Sequence, residues 1–461
     1  MRYLQIVGCQ YYTQDPPFYS PSLREQRGGC KGVSTCDCKG KIRGRIHESY
    51  IGINNLISNI LRFQPHKTLT IFKSIKFKPD QTNKFIYKIC KMRKAINEIK
   101  IIRVNGYRSL FAAVASVCVI ATSSGQDVND LKLQNYRPVS IYKIPVTNVA
   151  RAKYPAIDMH THVYGRTEQE IERWINAMDA CGIEKSIVFT GASGDRFDNL
   201  VKMYSRYGAR FELWCGFDYS GYEEPGYGPA AVKELERCFK NGAKGVGEVM
   251  FKGKGISPSS RSKTIMLPDD PRLDPLWEKC AELGLPVNLH ISEDKWMYEK
   301  MDSTNDGLMN ASKWEVKMEN GAKTHEEMLD RLENTVKKHP KTIFVAAHLA
   351  NCCADLSVLG NYFDKYPNLF ADISARFGEI APVPKFVHDF IEKYRDRIVY
   401  GTDMSFNEGI YRVTFRIMET ADEHFYETGL FGYHWPLYGL YLSDKTLKKV
   451  YRGNALKIIN R

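Results

Sequence analysis

Tyr154-Pro-Ala-Ile-Asp158-Met-His160-Thr-His162-Val163 is the stretch on which the reading of this chain turns. Apolar residues lead into a polar tip, the pattern of a buried strand running out into a site. A strand alternates its side chains with period two, so Asp158, His160 and His162 fall on one face. Two imidazoles so placed can share one metal ion, and imidazole suits zinc, iron, copper and nickel. The same pattern also fits a strand that merely contains histidine. What the later strands carry at their ends decides between the two.

Outward from this stretch, toward the C-terminus, the chain repeats one unit: a short β-rich run with a polar tip, then a longer amphipathic segment. Strands are expected at Ala156–Val163, Lys185–Thr190, Phe211–Phe217, Ala243–Met250, Pro286–Ile291, Thr342–His348, Asn368–Ile373 and Arg397–Asp403. Helices are expected at Thr167–Cys181, Phe197–Tyr207, Ala230–Asn241, Asp274–Leu283, Thr324–His339, Cys353–Tyr366, Pro384–Lys393 and from Asp422 onwards. In the first helix Ile171, Trp174, Ile175 and Met178 form one apolar stripe, and Thr167 with Glu170 spells a capping box. Eight such units in about 300 residues predict an α/β fold, a (β/α)8 TIM-like barrel. A doubly wound open sheet ranks second, because Gly242–Gly247 carries no dinucleotide fingerprint. Long insertions follow strand four (Phe251–Arg272) and strand five (Ser292–Lys323), at the face where barrel active sites are built. Trp296, Met297, Tyr298 and Trp314 in the second suggest an ordered lid.

The polar strand ends now fall into a pattern. Strand four closes with Glu248, strand five with His290, strand six with His348 and strand eight with Asp403. In a barrel these ends converge on one mouth. His160, His162, His290 and the Asp403 carboxylate make a donor set suited to zinc, with His348 near enough to exchange protons with water or substrate. Histidine after histidine at strand ends, joined by carboxylates, is hard to ascribe to packing.

This constellation resembles the amidohydrolase superfamily: H-x-H ending strand one, single histidines ending strands five and six, and Gly401-Thr-Asp403 on strand eight. It is most similar to the amidohydrolase-related branch, which includes aminocarboxymuconate-semialdehyde decarboxylase and metal-dependent hydrolases. The resemblance runs from Tyr154 to the C-terminus. It implies that His160, His162, His290 and Asp403 hold one divalent metal ion, expected to be zinc, with His348 as acid/base. Glu248 stands where binuclear members carry a carboxylated lysine, so it could bridge a second ion, though one ion is the expectation.

The chemistry expected is hydrolysis of a lactone, ester or amide of a small substrate: a divalent ion activates water and polarises the carbonyl, and Asp403 takes the water's proton. Metal-dependent decarboxylation of a small carboxylic acid is the alternative, and a non-catalytic metal-binding barrel the second alternative. Arg376 could bind a substrate carboxylate bidentately or serve an internal ion pair. Trp296 could line the pocket or anchor its own loop. Lys252, Lys254, Arg261 and Lys263 could favour an anionic substrate, or form a solvated charge run. The aromatic stretch Tyr426–Leu442 reads as packing. The body cysteines read as structural, with vicinal Cys352-Cys353 a weaker redox candidate.

Upstream the text is different. Residues 1–126 carry 21 Lys and Arg against 6 Asp and Glu, and the remainder 45 against 47. The body is thus near neutral, and the high overall charge of +13 says nothing of a nucleic-acid partner. Residues 1–91 read as a disordered or non-native extension; Cys30, Cys36 and Cys38 lack the further ligands of a zinc knuckle. From Met92 a basic stretch precedes Leu110–Ala121 and small residues follow, the parts of a signal peptide over 92–126. The apolar run falls short of the ~20 residues of a stable membrane span. Met92 is therefore expected to be the true start of a secreted or periplasmic protein; with the extension retained the chain would be cytoplasmic. Residues 127–153 read as an extended arm, and 154–461 as the catalytic barrel. The expected partner is a small-molecule substrate, and a homo-oligomer stays open.

Overall fold

A computed structural model describes residues 128–252, 266–319 and 321–460 of the chain. The extension 1–91, the signal-like segment 92–126 and the loop residues Lys254, Arg261 and Lys263 lie outside the described residues. Strands and helices alternate as β1 (Ala156–His162), α1 (Glu168–Cys181), β2 (Ile183–Phe189), α2 (Gly194–Tyr204), β3 (Phe211–Trp214), α3 (Tyr227–Lys240), β4 (Val246–Phe251), α4 (Asp274–Leu283) and β5 (Val287–Ile291). Then come α5 (Leu308–Trp314), α6 (His325–Lys338), β6 (Phe344–Ala346), α7 (Leu356–Lys365), β7 (Leu369–Asp372), α8 (Phe377–Ile380), α9 (Pro384–Lys393), β8 (Ile398–Val399) and α10 (Glu408–Glu419). Short helices α11 (Thr428–Phe431), α12 (Asp444–Lys448) and α13 (Asn454–Ile459) finish the chain.

Neighbouring strands pair in parallel, in the orders β1-β2-β3 and β4-β5-β6-β7-β8. Backbone hydrogen bonds join these two runs at both seams. Cys215 N–H donates to Gly245 O and Gly247 N–H to Cys215 O, both at 2.9 Å. At the other seam Met159 N–H reaches Tyr400 O at 3.0 Å and Asp403 N–H reaches His160 O at 2.9 Å. The strands therefore close on themselves as a parallel barrel, and the open-sheet alternative falls.

Local chemistry explains the elements. Thr167 Oγ1 accepts from Glu170 N–H at 3.3 Å while the Glu170 carboxylate accepts from Thr167 N–H at 3.1 Å, so the capping box starts α1. Ile171, Trp174 and Met178 on that helix are fully buried against the barrel. One core lies between strands and helices. A smaller cluster joins Ile157, Met159, Ile187, Phe189, Trp214, Val345, Phe370 and Val399 of the strands with Ala455 and Ile458 of α13.

Two expectations need correcting. The helix after β8 begins at Glu408, not Asp422. Asn407 caps it by accepting from Gly409 N–H at 2.6 Å, and Ile410, Tyr411, Phe415, Ile417 and Met418 form its buried face. Strand β1 also breaks its alternation. Its register slips between Asp158 and Thr161, a bulge of the kind that re-aims side chains beside sites. Asp158 therefore does not share the ligand face with the histidines. It accepts from Thr402 N–H (2.9 Å) and Thr402 Oγ1 (2.7 Å) instead, tying β1 to the segment after β8.

The described part of the arm lacks regular strands, and hydrogen bonds tie it to the body from Ser140 on, where Ser140 Oγ lies 3.1 Å from His424 Nδ1. Thr147 donates through N–H (2.9 Å) and Oγ1 (2.6 Å) to Asp422, and Lys153 N–H donates to Glu419 at 2.9 Å. No helix of the described residues is long and apolar enough to cross a membrane.

Candidate metal centre

β1 supplies His160 and His162, β4 Glu248 and β5 His290, while His348 and Asp403 stand a few residues past β6 and β8. Those two strands are shorter than expected, and both residues have left-handed backbone, φ +59° and +51°. His348 through Asn351 all keep positive φ. Such backbone costs about 1–3 kcal/mol per residue and is held only where the surroundings enforce it.

Glu248 lies at the middle. Its Oε1 is 2.6 Å from His290 Nδ1, 3.4 Å from His348 Nε2 and 3.8 Å from His160 Nε2, and its Oε2 is 3.7 Å from His162 Nε2. Asp403 closes the other side, with Oδ1 2.9 Å from His162 Nε2 and 3.7 Å from His160 Nε2, and Oδ2 3.8 Å from His348 Nε2. The side chains of His160, Glu248, His290 and His348 are at most 5 % exposed, whereas Asp403 is 23 % and His162 36 % exposed. The centre thus has a dry floor and one open side.

The rings are aimed from behind. His160 Nδ1 faces Asp372 Oδ2 at 3.0 Å and Ser374 Oγ at 2.9 Å; His348 Nδ1 faces Ser374 O at 2.9 Å. Asp372 also accepts from His348 N–H (3.0 Å), Ser374 N–H (3.1 Å), the Ser374 hydroxyl and Asn288 Nδ2 (2.9 Å). A ring that donates from Nδ1 presents the Nε2 lone pair to the centre, the arrangement that orients metal-ligating histidines. Asp372, Ser374 and Glu293, whose Oε2 is 3.7 Å from His290 Nε2, are site residues the sequence reading passed over. A signal for the first existed: Asp372 closes β7, much as His290 stands one residue from the end of β5 and His348 and Asp403 follow β6 and β8.

The electrostatics point the same way. Burial works against ionisation of Asp372 and Glu293, yet the neighbouring imidazoles outweigh it and bring both to about 2. Glu248 and Asp403 are likewise below the usual carboxylate range despite burial, held there by the surrounding histidines. On His160, burial opposes a charge, but Asp372, Asp403 and Glu248 lift its pKa to about 10. His348 is lowered, chiefly by burial. Four ionised carboxylates among clustered imidazoles make a site that takes up positive charge.

Other candidates are placed elsewhere. The Arg376 guanidinium is buried and committed: Nε donates to Asn351 Oδ1 at 2.9 Å and Nη1 to Ala375 O at 3.0 Å, with Asp294 at 3.3 Å and Glu379 at 3.6 Å. Its geometry is that of an internal ion-pair cluster. Trp296 packs on Gly307, where a Cβ would meet its ring at 2.7 Å, and on Trp435 at a 6.0 Å centroid distance. The Ser292–Lys323 insertion holds α5 and a short turn at Lys295–Met297. All six described cysteines are buried and unpaired, and burial pushes the Cys352 and Cys353 thiols up, away from reactivity.

A closed parallel barrel with histidines and carboxylates gathered at the carboxyl ends of its strands defines the class: a metal-site α/β barrel. An amidohydrolase family model matches residues 224–461, just over half of the chain, and the chain belongs to this family. The matched span holds Glu248, His290, His348 and Asp403; His160 and His162 precede it. No curated protein matches. Among solved structures, 2,6-dihydroxybenzoate decarboxylase from Rhizobium is 18 % identical, with TM-score 0.43, over 67 % of this chain and 99 % of that one. A dihydroxybenzoic acid decarboxylase from Polaromonas sp. JS666, with manganese and 2-nitroresorcinol, is 17 % identical, with TM-score 0.44, over 67 % and 98 %. 5-Carboxyvanillate decarboxylase from Novosphingobium aromaticivorans DSM 12444, with manganese and 4-hydroxy-3-methoxy-5-nitrobenzoic acid, is 16 % identical, with TM-score 0.40, over 69 % and 100 %.

Proposed function

We propose that the chain is a metal-dependent hydrolase acting on a lactone, ester or amide bond of a small, anionic substrate. The observation that carries the metal is the convergence of four imidazoles and two carboxylates, with His160 Nε2 buried and given no hydrogen-bond partner. A donor set of nitrogen and carboxylate oxygen suits zinc, with manganese also accommodated. His160, His162 and Asp403 would hold the ion; Glu248, His290 and His348, mutually close on the facing side, would complete it or hold a second. A bound divalent ion there supplies Lewis acidity and a water nucleophile at neutral pH.

The chain's own residues do the rest. Asp403, the one carboxylate of the inner cluster that reaches the open side, accepts the proton of the attacking water. His348, its Nδ1 fixed on Ser374 O, keeps Nε2 inward to relay that proton to the leaving group. Glu248 and Asp372 hold the rings in place, and the dry floor keeps bulk water from the reacting atoms.

Decarboxylation of a small carboxylic acid is the second reading, and the Lys252 ammonium, which would pair with an anionic substrate in either reaction, fits it equally. It is also the reaction named for the three structures above, whose likeness to this chain bears on fold alone. A panel of lactones, amides and aromatic acids in ¹⁸O-water separates the two. Hydrolysis places the label in the product acid, whereas CO₂ release without label in the remaining product would overturn the first reading.

A further inference from the structure

Immediately after β4, four residues beyond Glu248, the chain presents Lys252. Its ammonium is 3.3 Å from Glu293 Oε1 and 5.3 Å from the centroid of the Trp314 ring, within cation–π range. Glu293 in turn reaches His290 Nε2 with its other oxygen at 3.7 Å, so one side chain spans the distance from the metal centre to Lys252. On that side lies a cavity of about 320 Å³, lined by Lys252, Glu293, Lys313, Trp314, Glu315 and Lys317 among others.

Charge and size narrow what this space takes. The lining carries the ammonium groups of Lys252, Lys313 and Lys317 against the carboxylates of Glu293 and Glu315. Lys313 and Lys317 form no ion pair with a described residue, and Lys252 stays 40 % exposed. A pair built only to satisfy Glu293 would need neither the exposure nor the further lysines. Burial pulls the Lys252 pKa down, and the charges of Glu293, Glu248 and Asp403 more than offset it, so the cation persists at neutral pH. The indole of Trp314 is 38 % exposed and offers a flat apolar wall. The volume lies at the low end for small-ligand pockets, about 300–1,000 Å³, enough for a single ring with its substituents.

We propose that this cavity is a specificity subsite for a carboxylate carried on a planar, aromatic frame, with Lys252 pairing the carboxylate and Trp314 covering the ring. The inference deepens the reading of the centre above and rests on it for the reaction, though not for binding. It assigns Lys252, Trp314 and Lys313 to substrate selection and leaves Arg376 in its internal cluster.

The test is calorimetric titration of the full chain, incubated with zinc, with benzoate and with benzamide as probes, alongside Lys252→Gln and Trp314→Ala. Metal content is measured on the same samples. Native protein is expected to bind benzoate about ten-fold more tightly than benzamide, the scale of one well-placed charge-assisted contact. Lys252→Gln should erase that preference, and Trp314→Ala should weaken both probes. A native protein with no preference, or a Lys252→Gln variant that keeps it, overturns the subsite, and normal metal content in that protein leaves the reading of the centre standing. Lys252-dependent preference in a protein that takes up no metal does the reverse: the subsite holds and the metal reading falls.

Discussion

Asp372 is fully buried, and two of the inward-facing rings hang on it: it accepts from His160 directly, from the His348 backbone, and from the Ser374 hydroxyl that touches both rings. Removing its charge while keeping its shape should disturb the centre and leave the fold intact. Asp372→Asn is expected to weaken zinc affinity about 10- to 100-fold, the usual effect of losing such an orienting carboxylate. Competition against a chelator measures it, and unaltered affinity would mean that the His160 ring is held by packing alone. Gly401 acts at the same scale. A Cβ there would stand 2.9 Å from His160 Cβ, so glycine is what lets the Gly-Thr-Asp segment lie against the first histidine strand. Most of the inner cluster was legible in the sequence because histidine at a strand end has few bland uses. Asp372 was not, because an acidic residue closing a strand looks ordinary until its partners, far apart in sequence, are known. Arg376 shows the opposite failure. Its guanidinium advertised anion binding, while Asn351, Asp294 and Glu379 that occupy it are visible only in the fold.

At the scale of elements, periodicity and caps carried the reading, and all eight expected strands overlap observed ones. The helix after β8 was misplaced because its opening cue, Asn407 before Glu408, is a single residue, while the aromatic run after Asp422 draws the eye. The contacts between helices are less visible still. Glu234 on α3 accepts from Gly194 N–H at the start of α2 (2.7 Å) and from Arg237 Nε (2.8 Å), and Arg237 also pairs with Asp198 of α2. Its hydrogen bonds to Arg237, against the cost of burial, take its pKa from 4.5 to about 2. A carboxylate so depressed adds stability above its unfolded pKa and loses it as the pH falls toward the folded one. Glu234→Gln should therefore cost on the order of 1 kcal/mol at pH 7, a modest figure because water reaches the pair. The difference from native should shrink as the pH drops from 4.5 to 2. Thermal melts across that range check it; a difference independent of pH would place the effect elsewhere.

For the whole molecule, closure of the barrel is the fact on which the site depends. His160 and Asp403 belong to the first and last strand regions, and only a ring brings them into contact, through the 2.9 Å bond from Asp403 N–H to His160 O. An open sheet would have left the same motifs apart, which is why the choice of barrel over open sheet was also the choice of site. Charge read across the whole chain would have misled, since the basic surplus lies in residues 1–126 and the barrel is near neutral. The electrostatics that matter are local: ionised carboxylates crowded among imidazoles at one mouth. The most direct test is metal analysis of the purified chain by plasma mass spectrometry, after incubation with zinc or manganese and dialysis, beside His290→Ala and Asp403→Asn. At least about one divalent ion per chain is expected in the native protein, with marked loss in both variants while their circular dichroism stays native. A native protein that emerges without metal, or variants that retain it in full, would contradict the account.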